Sequence, residues 1–232
     1  MKLIEWNELP SSMQKKEVRA YYDVLKTKKT ALVIKRLFDF VVSSILLVFV
    51  SPILLILGIL IKLDSEGPVF YRQERITTYG KVFRIYKFRT MVVNADKIGA
   101  LVTSGNDSRI TKMGSKIRKY RLDELPQLIN IFLGDMSFVG TRPEVKKYVD
   151  AYSDEMMATL LLPAGVTSLA SIQYKDEDEI ISKYTCEGLS VDEVYINKVL
   201  PDKMKYNLEY VKEFSFFKDI ALMIKTVFAV IK

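Results

Sequence analysis

Two adjacent carboxylates in the middle of the chain, Asp123 and Glu124, follow directly after a cluster of cations. The cations are Arg118, Lys119 and Arg121. Adjacent acids can hold a divalent cation or attack phosphorus, while nearby arginines can neutralise phosphate oxygens. The residue types and their spacing therefore indicate metal-assisted phosphoryl chemistry at this position.

A second polar group follows in the same stretch of sequence. It consists of Asp135 and a turn formed by Arg142, Pro143 and Glu144. With Arg118 before the acid pair and Arg142 after it, an arginine lies on each side of the two acids in the sequence. A turn rich in small residues beside arginines suits the binding of phosphate groups. The stretch from Arg121 to Glu144 is therefore the most informative part of the chain.

Apolar residues between the two polar groups recur at helical spacing. They are Leu122, Leu125, Leu128, Ile129 and Phe132. Because proline is tolerated in a first helical turn, Pro126 is compatible with a helix that begins near Asp123. Asp123 or Glu124 would then lie at the positive end of the helix dipole, where backbone amides favour an anion. Alternatively, Asp123 would simply cap the helix and pair with Arg118.

An uncharged apolar run of 22 residues, from Phe40 to Ile61, lies upstream of these groups. As a straight helix it would be roughly 33 Å long, about the thickness of the hydrocarbon core of a bilayer. No small-residue cleavage site follows it, which argues against a secretory signal peptide. A single-pass membrane anchor is the simplest interpretation.

Two features favour instead a helix that enters and leaves the membrane on one side. Ser51-Pro52 lies near the centre of the run, where proline removes a backbone donor and predicts a break. Cations flank both ends, and the positive-inside rule places both flanks in the cytoplasm. These cations are Lys26, Lys28, Lys29, Lys35 and Arg36 before the run, and Lys62, Arg72, Arg75 and Lys81 after it. We therefore predict a re-entrant membrane helix at residues 31–61, broken at Ser51 and Pro52.

The composition suits an enzyme at a membrane surface. The 232 residues suffice for one domain with a real core, and the net charge of +7 suits anionic headgroups or phosphorylated substrates. A single cysteine, Cys186, excludes an internal disulfide. Since the chain has no histidine, Ser-His-Asp catalysis, Cys-His catalysis and imidazole zinc sites are excluded.

Three further regions complete the chain. Residues 1–30 form an N-terminal extension, with a short helix that lies on the headgroups or on the domain. In the domain at residues 62–232, VFYRQERI and KVFRIYKFRTM predict a β-hairpin with its turn at residues 77–80. The basic and aromatic strands lack the longer basic tract of a nucleic-acid site, so we predict no nucleic-acid partner. Residues 216–232 predict an amphipathic helix, either interfacial or in the core.

An acidic run, KDEDE at residues 175–179, offers a different metal site. Asp176 and Asp178 form the acid-x-acid pattern that many glycosyltransferases use for a metal, although such charged runs are usually solvated. The sequence alone therefore leaves two other functions open. One is a metal-dependent UDP-sugar glycosyltransferase that uses these acids, and the other is a non-catalytic basic membrane adaptor.

Several motifs, in this order, resemble those of the bacterial sugar transferases, the small monotopic polyprenyl-phosphate phosphoglycosyl transferases. The motifs are KRLFDFV at 35–41, the Ser51-Pro52 pair, KFRTM at 87–91, LDELPQLINIFLGDMSFVGTRPE at 122–144 and LPAGVTSLASIQ at 162–173. The resemblance implies an α+β fold: a mostly helical, membrane-associated domain with a short β-hairpin, a re-entrant helix and interfacial amphipathic helices. It also implies a place at the bacterial inner (cytoplasmic) membrane, with the catalytic domain facing the cytoplasm.

The family further implies Mg²⁺-dependent transfer of a sugar phosphate from a UDP-sugar to polyprenyl phosphate. By this resemblance Asp123 is the nucleophile, which forms a covalent phosphosugar with loss of UMP, and Glu124 and Asp123 hold the metal. The implied substrate-binding residues are Arg118, Arg142, Pro143, Glu144, Lys87 and Arg89. The implied partners are a UDP-sugar, polyprenyl phosphate and the phospholipid membrane, with a homodimer left open.

Two departures from the family pattern bear on these expectations. Thr141 occupies the position of the first proline in the family's Pro-Arg-Pro turn, which is expected to loosen the turn while keeping its arginine. Residues 165–173 lack the family's common Gly-Leu/Trp-x-Gln-Val form, so the sequence does not specify the sugar.

Overall fold

In a computed structural model the chain is mostly helical, with two small sheets, which confirms the predicted α+β class. The structure describes residues 1–95, 107–174 and 177–231. The helices are α1 (Lys16–Thr27), α2 (Lys29–Asp64), α3 (Lys112–Lys119), α4 (Gln127–Leu133), α5 (Lys146–Val149), α6 (Leu169–Gln173), α7 (Glu177–Cys186), α8 (Val191–Val194), α9 (Leu200–Lys212) and α10 (Phe216–Ile231). The strands are β1 (Phe70–Ile76), β2 (Val82–Phe88), β3 (Met136–Val139) and β4 (Ala164–Thr167).

The longest element, α2, contains the predicted membrane run. Within the described residues it is the one helix long and apolar enough to cross a membrane. Helical structure continues through Pro52, so the helix is not broken at Ser51-Pro52, where the sequence predicted a break. The Ser51 hydroxyl donates to the Val48 carbonyl at 2.8 Å, the acceptor that Pro52 cannot reach because it has no N–H. Re-entry into the membrane therefore stays a prediction.

Both ends of α2 pack on the same domain, while its middle is exposed. Near its start, Lys35 is buried and donates to the carbonyl at the end of β3 at 2.8 Å. Near its end, Ile61 is buried and Asp64 accepts a hydrogen bond from a backbone N–H at the start of α3 at 3.1 Å. Between these contacts, Val48 is 73% exposed and Phe49 is 75% exposed. The apolar surface of α2 is thus concentrated between two anchored ends.

The N-terminal segment, residues 1–28, is part of the hydrophobic core. Its fully or nearly fully buried side chains are Leu3, Leu9, Met13, Val18, Tyr22 and Leu25. They pack in one cluster with Leu161, Val211 and Phe214. Of the two positions that the sequence left open for this segment, headgroups or domain, the structure has it on the domain.

The predicted β-hairpin is confirmed, and a second sheet joins distant parts of the chain. In the hairpin, β1 and β2 pair antiparallel with Phe70 opposite Phe88. In the second sheet, β3 and β4 pair in parallel, which the sequence did not predict. A Cβ on Gly140 or Gly165 would lie within 2.2 Å of the opposing backbone, so only glycine allows this approach. The close contact fixes the chain directly after β3.

The C-terminal helix, α10, is amphipathic, as the sequence predicted. On its outer side Phe217 is 82% exposed and Phe228 is 66% exposed. On its inner side Asp219 is buried and forms an ion pair with Lys35 of α2 at 2.6 Å. An apolar surface thus faces outward from a helix that is fixed to the base of α2.

Candidate active site

The acid pair lies in a short 3-10 turn, Leu122–Glu124, between α3 and α4. Arg121 precedes this turn in the left-handed backbone region, with φ of 52°. The helix predicted to begin near Asp123 begins instead at Gln127, so Asp123 is not its N-cap. Pro126 explains the difference, because it has no N–H to bond the carbonyl four residues earlier.

Glu124 is the electrostatic centre of the site. Its Oε1 accepts one hydrogen bond from Lys87 Nζ of β2 and another from Arg142 Nη2, each at 2.9 Å. Burial alone would raise the pKa of this carboxyl, but Arg142 and Lys87 outweigh it and hold the pKa well below its usual range. Glu124 is therefore a fixed anion near neutral pH.

The two cations bonded to Glu124 differ in how firmly they keep their charge. The Glu124 carboxylate raises the pKa of Arg142 above its ordinary value. Burial lowers the pKa of Lys87, and the attraction of Glu124 only partly counteracts this effect. The charge of Lys87 therefore depends on Glu124, whereas Arg142 is a permanent cation.

Asp123 is bonded differently from its neighbour. It forms no ion pair with a side chain of the described residues, so the predicted pairing of Asp123 with Arg118 is absent. Burial raises the pKa of the Asp123 carboxyl; Lys87 counteracts the rise, and the charge of Glu124 adds to it. The site thus contains one carboxylate that is bonded to two cations, Glu124, and one that forms no ion pair with a described side chain, Asp123.

Arg118 lies on α3, shortly before the acid pair. Thr111 caps the start of this helix by accepting a hydrogen bond from Gly114 N at 3.0 Å. Gly114 packs against the Thr90 carbonyl, since a Cβ there would lie 2.0 Å from that oxygen. Within residues 1–95, 107–174 and 177–231 the Arg118 guanidinium has no hydrogen-bond partner. Its donors are therefore free to bind an anionic ligand.

Asn130, which the sequence analysis did not single out, fixes β2 against α4. This buried side chain accepts a hydrogen bond from Tyr86 N at 2.8 Å and donates to the Arg84 carbonyl at 3.0 Å. These bonds hold β2 immediately before Lys87. The signal in the sequence is an amide within the apolar stretch LINIFL, because a polar side chain buried there needs partners.

Arg142 follows β3 in a turn that β1 holds in place. Arg75 Nη1 donates to the Pro143 carbonyl at 3.0 Å, and Ile76 N donates to the Glu144 carbonyl at 3.0 Å. The Arg142 side chain is 40% exposed. Its guanidinium therefore bonds Glu124 from the edge of the site and remains accessible to a ligand.

Two side chains predicted to bind substrate lie outside this group. Arg89 is buried, and its guanidinium donates to the Ser65 and Glu66 carbonyls at the end of α2. Glu144 is also buried, and its carboxylate accepts a hydrogen bond from Tyr195 at 2.6 Å. The structure thus brings together the acid pair, Lys87 and Arg142. Arg89 and Glu144 are buried, and their charged groups bond to other groups of the protein.

The acid pair has the donor chemistry for a magnesium ion. Mg²⁺ commonly binds through one or two carboxylates together with substrate phosphates, and Asp123 and Glu124 provide two carboxylates. Lys87 and Arg142 bond only one oxygen of Glu124. Among the described residues, no group of three or more Asp, Glu, Cys or His side chains could hold a metal.

The structure does not describe the alternative metal site, Asp176 and Asp178. Residue 176 and the side chain of residue 178 lie outside the described part of the chain.

The fold thus combines one helix that is long and apolar enough to cross a membrane with a group of charged side chains around Glu124. The chain belongs to the bacterial sugar transferase family, whose model matches residues 30–232. The first 29 residues, which pack into the core, lie outside that match.

Two relatives are each 34% identical to this chain. One is a UDP-N-acetylgalactosamine-undecaprenyl-phosphate N-acetylgalactosaminephosphotransferase of Aeromonas hydrophila, matched over 84% of this chain and 43% of its own length. The other is a UDP-glucose:undecaprenyl-phosphate glucose-1-phosphate transferase of Klebsiella pneumoniae, matched over 85% and 40%. This chain thus spans about two fifths of the length of both. The exopolysaccharide production protein ExoY of Rhizobium meliloti is 32% identical over 84% of each chain.

Proposed function

We propose that this chain transfers a sugar 1-phosphate from a UDP-sugar to polyprenyl (undecaprenyl) phosphate and releases UMP. The observation that carries the proposal is the difference between the two acids: Glu124 is bonded to two cations, and Asp123 forms no ion pair with a described side chain. The two named relatives act on undecaprenyl phosphate, one with UDP-N-acetylgalactosamine and the other with UDP-glucose. A panel of UDP-sugars tested for UMP release would identify the sugar for this chain.

In the first proposed step, Asp123 attacks the phosphorus that carries the sugar. A carboxylate oxygen bonds to that phosphorus, the bond from phosphorus to the bridging oxygen breaks, and UMP leaves with that oxygen. Because a carboxylate is a weak nucleophile in water, positioning and charge neutralisation must supply most of the rate. Arg118, Arg142 and Lys87 would supply the positive charge that reduces repulsion between the carboxylate and the diphosphate.

In the second proposed step, an oxygen of polyprenyl phosphate attacks the same phosphorus and the Asp123 carboxylate is released. A covalent intermediate lets the soluble nucleotide leave before the long lipid is aligned. The product, a polyprenyl diphosphosugar, would be the first membrane intermediate in the assembly of a glycoconjugate such as an O-antigen, a capsule, an exopolysaccharide or a glycoprotein glycan.

Asp123 and Glu124 are also the residues that we propose for Mg²⁺. When bound, the ion supplies positive charge to the diphosphate. The bonds from Lys87 and Arg142 keep Glu124 ionised and oriented, which is the usual task of groups that surround a metal ligand.

We propose that α2 is re-entrant, with both ends on the cytoplasmic face of the membrane, and the anchoring of both ends on one domain supports re-entry. A spanning helix would place its two ends on opposite faces of the membrane, where one domain could not bond to both. Here Lys35 near one end and Asp64 near the other both bond to the same domain. Helix α10, with Phe217 and Phe228 exposed, would lie in the interface beside α2.

The topology can be tested by cysteine labelling in a Cys186→Ser background. We expect Lys26→Cys and Lys81→Cys, which lie before and after α2, to be shielded from an impermeant thiol reagent in intact cells and labelled after lysis. Both positions are exposed in the structure, so a lack of labelling cannot come from burial. Labelling of the Lys26→Cys protein alone in intact cells would mean that α2 spans the membrane.

The role of Arg118 can be tested with a conservative change. Arg118→Lys keeps a charge but loses the planar fork that grips phosphate, so kcat/KM for UMP release should fall about tenfold or more. The matched control is Arg84→Lys, because Arg84 is an exposed arginine paired with Glu74. Equal kcat/KM in the two variants would remove Arg118 from the proposed site.

A further inference from the structure

A buried polar network lies behind the turn that carries Arg142. Its centre is Glu144, which is 7% exposed. The Tyr195 hydroxyl donates to Glu144 Oε1 at 2.6 Å, and Lys203 Nζ lies 4.0 Å from the same oxygen. Lys203 Nζ also donates to the Tyr195 hydroxyl oxygen at 3.1 Å. One oxygen of Glu144 therefore accepts a hydrogen bond from Tyr195 and pairs with Lys203, two groups of the C-terminal half of the chain.

The network is joined to the turn through the backbone. Glu144 follows Pro143, whose carbonyl accepts from Arg75 at 3.0 Å, and Arg142 precedes them. At its far end Lys203 donates to Glu177 Oε2 of α7 at 3.1 Å. A movement of the Glu144 side chain would thus be transmitted over two residues to the arginine that bonds the acid pair.

Tyr195 lies in an unusual local structure. Tyr195 begins a five-residue π-helical turn, Tyr195–Val199, between α8 and α9. Such turns are uncommon and occur frequently at functional sites. The Tyr195 ring packs against the ring of Tyr148, with 4.5 Å between the centroids. The Tyr148 hydroxyl points elsewhere, because it donates to Asp192 at 2.7 Å.

We propose that Tyr195 and Lys203 are positioning residues, which hold Glu144 and thereby fix the turn that presents Arg142 to the diphosphate of the nucleotide sugar. The inference rests on the proposed function and extends it to residues that do not touch the substrate. Arg142 is partly exposed and has one protein partner, Glu124, in the described part of the chain. Its position therefore depends on the turn that carries it as well as on this one bond, and a small displacement of a binding group can cost up to about a hundredfold in rate.

The test compares two tyrosines of the same buried ring pair. Tyr195→Phe removes the hydroxyl that bonds Glu144, and we expect kcat/KM for UMP release to fall about tenfold. Tyr148→Phe removes a hydroxyl of the same kind that bonds Asp192, and we expect kcat/KM to stay within about twofold of wild type. A third variant, Glu144→Gln, keeps an oxygen that accepts from Tyr195 and should retain more activity than Glu144→Ala.

A double-mutant cycle separates positioning from general destabilisation. If Tyr195 acts through Arg142, then Tyr195→Phe should change kcat/KM by less than about threefold in an Arg142→Lys background. A loss as large in that background as in wild type would overturn the inference, as would equal kcat/KM for Tyr195→Phe and Tyr148→Phe. Wild-type protein that releases no UMP from any UDP-sugar would instead overturn the proposed function, and this inference with it.

Discussion

Asp123→Asn protein should remain folded and membrane-bound but should release no measurable UMP. The amide matches the carboxylate in size, yet it has no negative charge with which to attack phosphorus. We expect kcat to fall by at least about a thousandfold, the scale of loss seen when a covalent nucleophile is removed. The rate of UMP release in vesicles that contain polyprenyl phosphate measures kcat. Thermal unfolding of the variant shows whether the fold is kept.

A matched control for this variant lies in the same stretch of sequence. Asp135→Asn changes the same chemical group, but the Asp135 carboxylate is paired with the exposed side chain of Lys81 at 3.3 Å. Its turnover should stay close to that of wild type. Turnover in Asp123→Asn similar to that in Asp135→Asn would leave the proposed mechanism without its nucleophile.

The raised pKa of Asp123 should be visible in the pH dependence of kcat/KM. Since the ionised carboxylate attacks, kcat/KM should fall along an acidic limb as the pH drops through the pKa of Asp123, which burial raises in the protein without a bound metal ion. Glu124, whose pKa is lowered, should add no limb there.

Glu124→Gln should lower kcat/KM by about a hundredfold or more. Glutamine keeps an acceptor oxygen for Lys87 and Arg142 but has no negative charge to pair with these cations. The variant also loses a carboxylate that we propose as a metal ligand. Burial already lowers the pKa of Lys87, so without Glu124 this lysine becomes easier to neutralise. The variant should also unfold at a lower temperature, since removing one member of a buried charge group leaves the others uncompensated.

The control for Glu124→Gln is Glu74→Gln on the hairpin. Glu74 is an exposed glutamate paired with Arg84, so its replacement should change the free energy of unfolding by less than about 1 kcal/mol and leave kcat/KM unaltered. Near-normal kcat/KM in Glu124→Gln would contradict the central place given to this carboxylate.

Features with a local signal could be predicted from the sequence. The β-hairpin has two basic and aromatic segments around a short turn, and both strands form where they are expected. The apolar run is uncharged over 22 residues, and it lies within one long helix. The acid pair was found from its spacing to the arginines, and Arg142 does reach Glu124 although 18 positions separate them.

Features that depend on long-range contacts could not be predicted in this way. The pairing of β3 with β4 joins Met136 to Ala164, and no local pattern specifies it. The family resemblance implied Arg89 and Glu144 as substrate-binding residues, and the structure shows that both are buried and have protein partners. Tyr195 bonds Glu144 across 51 positions, a contact that is visible only in the folded chain.

Omitting the acceptor lipid tests the covalent step most directly. Wild-type protein mixed with Mg²⁺ and its UDP-sugar should release a burst of UMP approaching one per enzyme. Rapid quenching should then show the added mass of one sugar phosphate on the peptide that contains Asp123, and polyprenyl phosphate should remove it. UMP release that strictly requires the lipid, with no adduct on that peptide, would mean direct attack by the lipid phosphate and would contradict the nucleophilic role of Asp123.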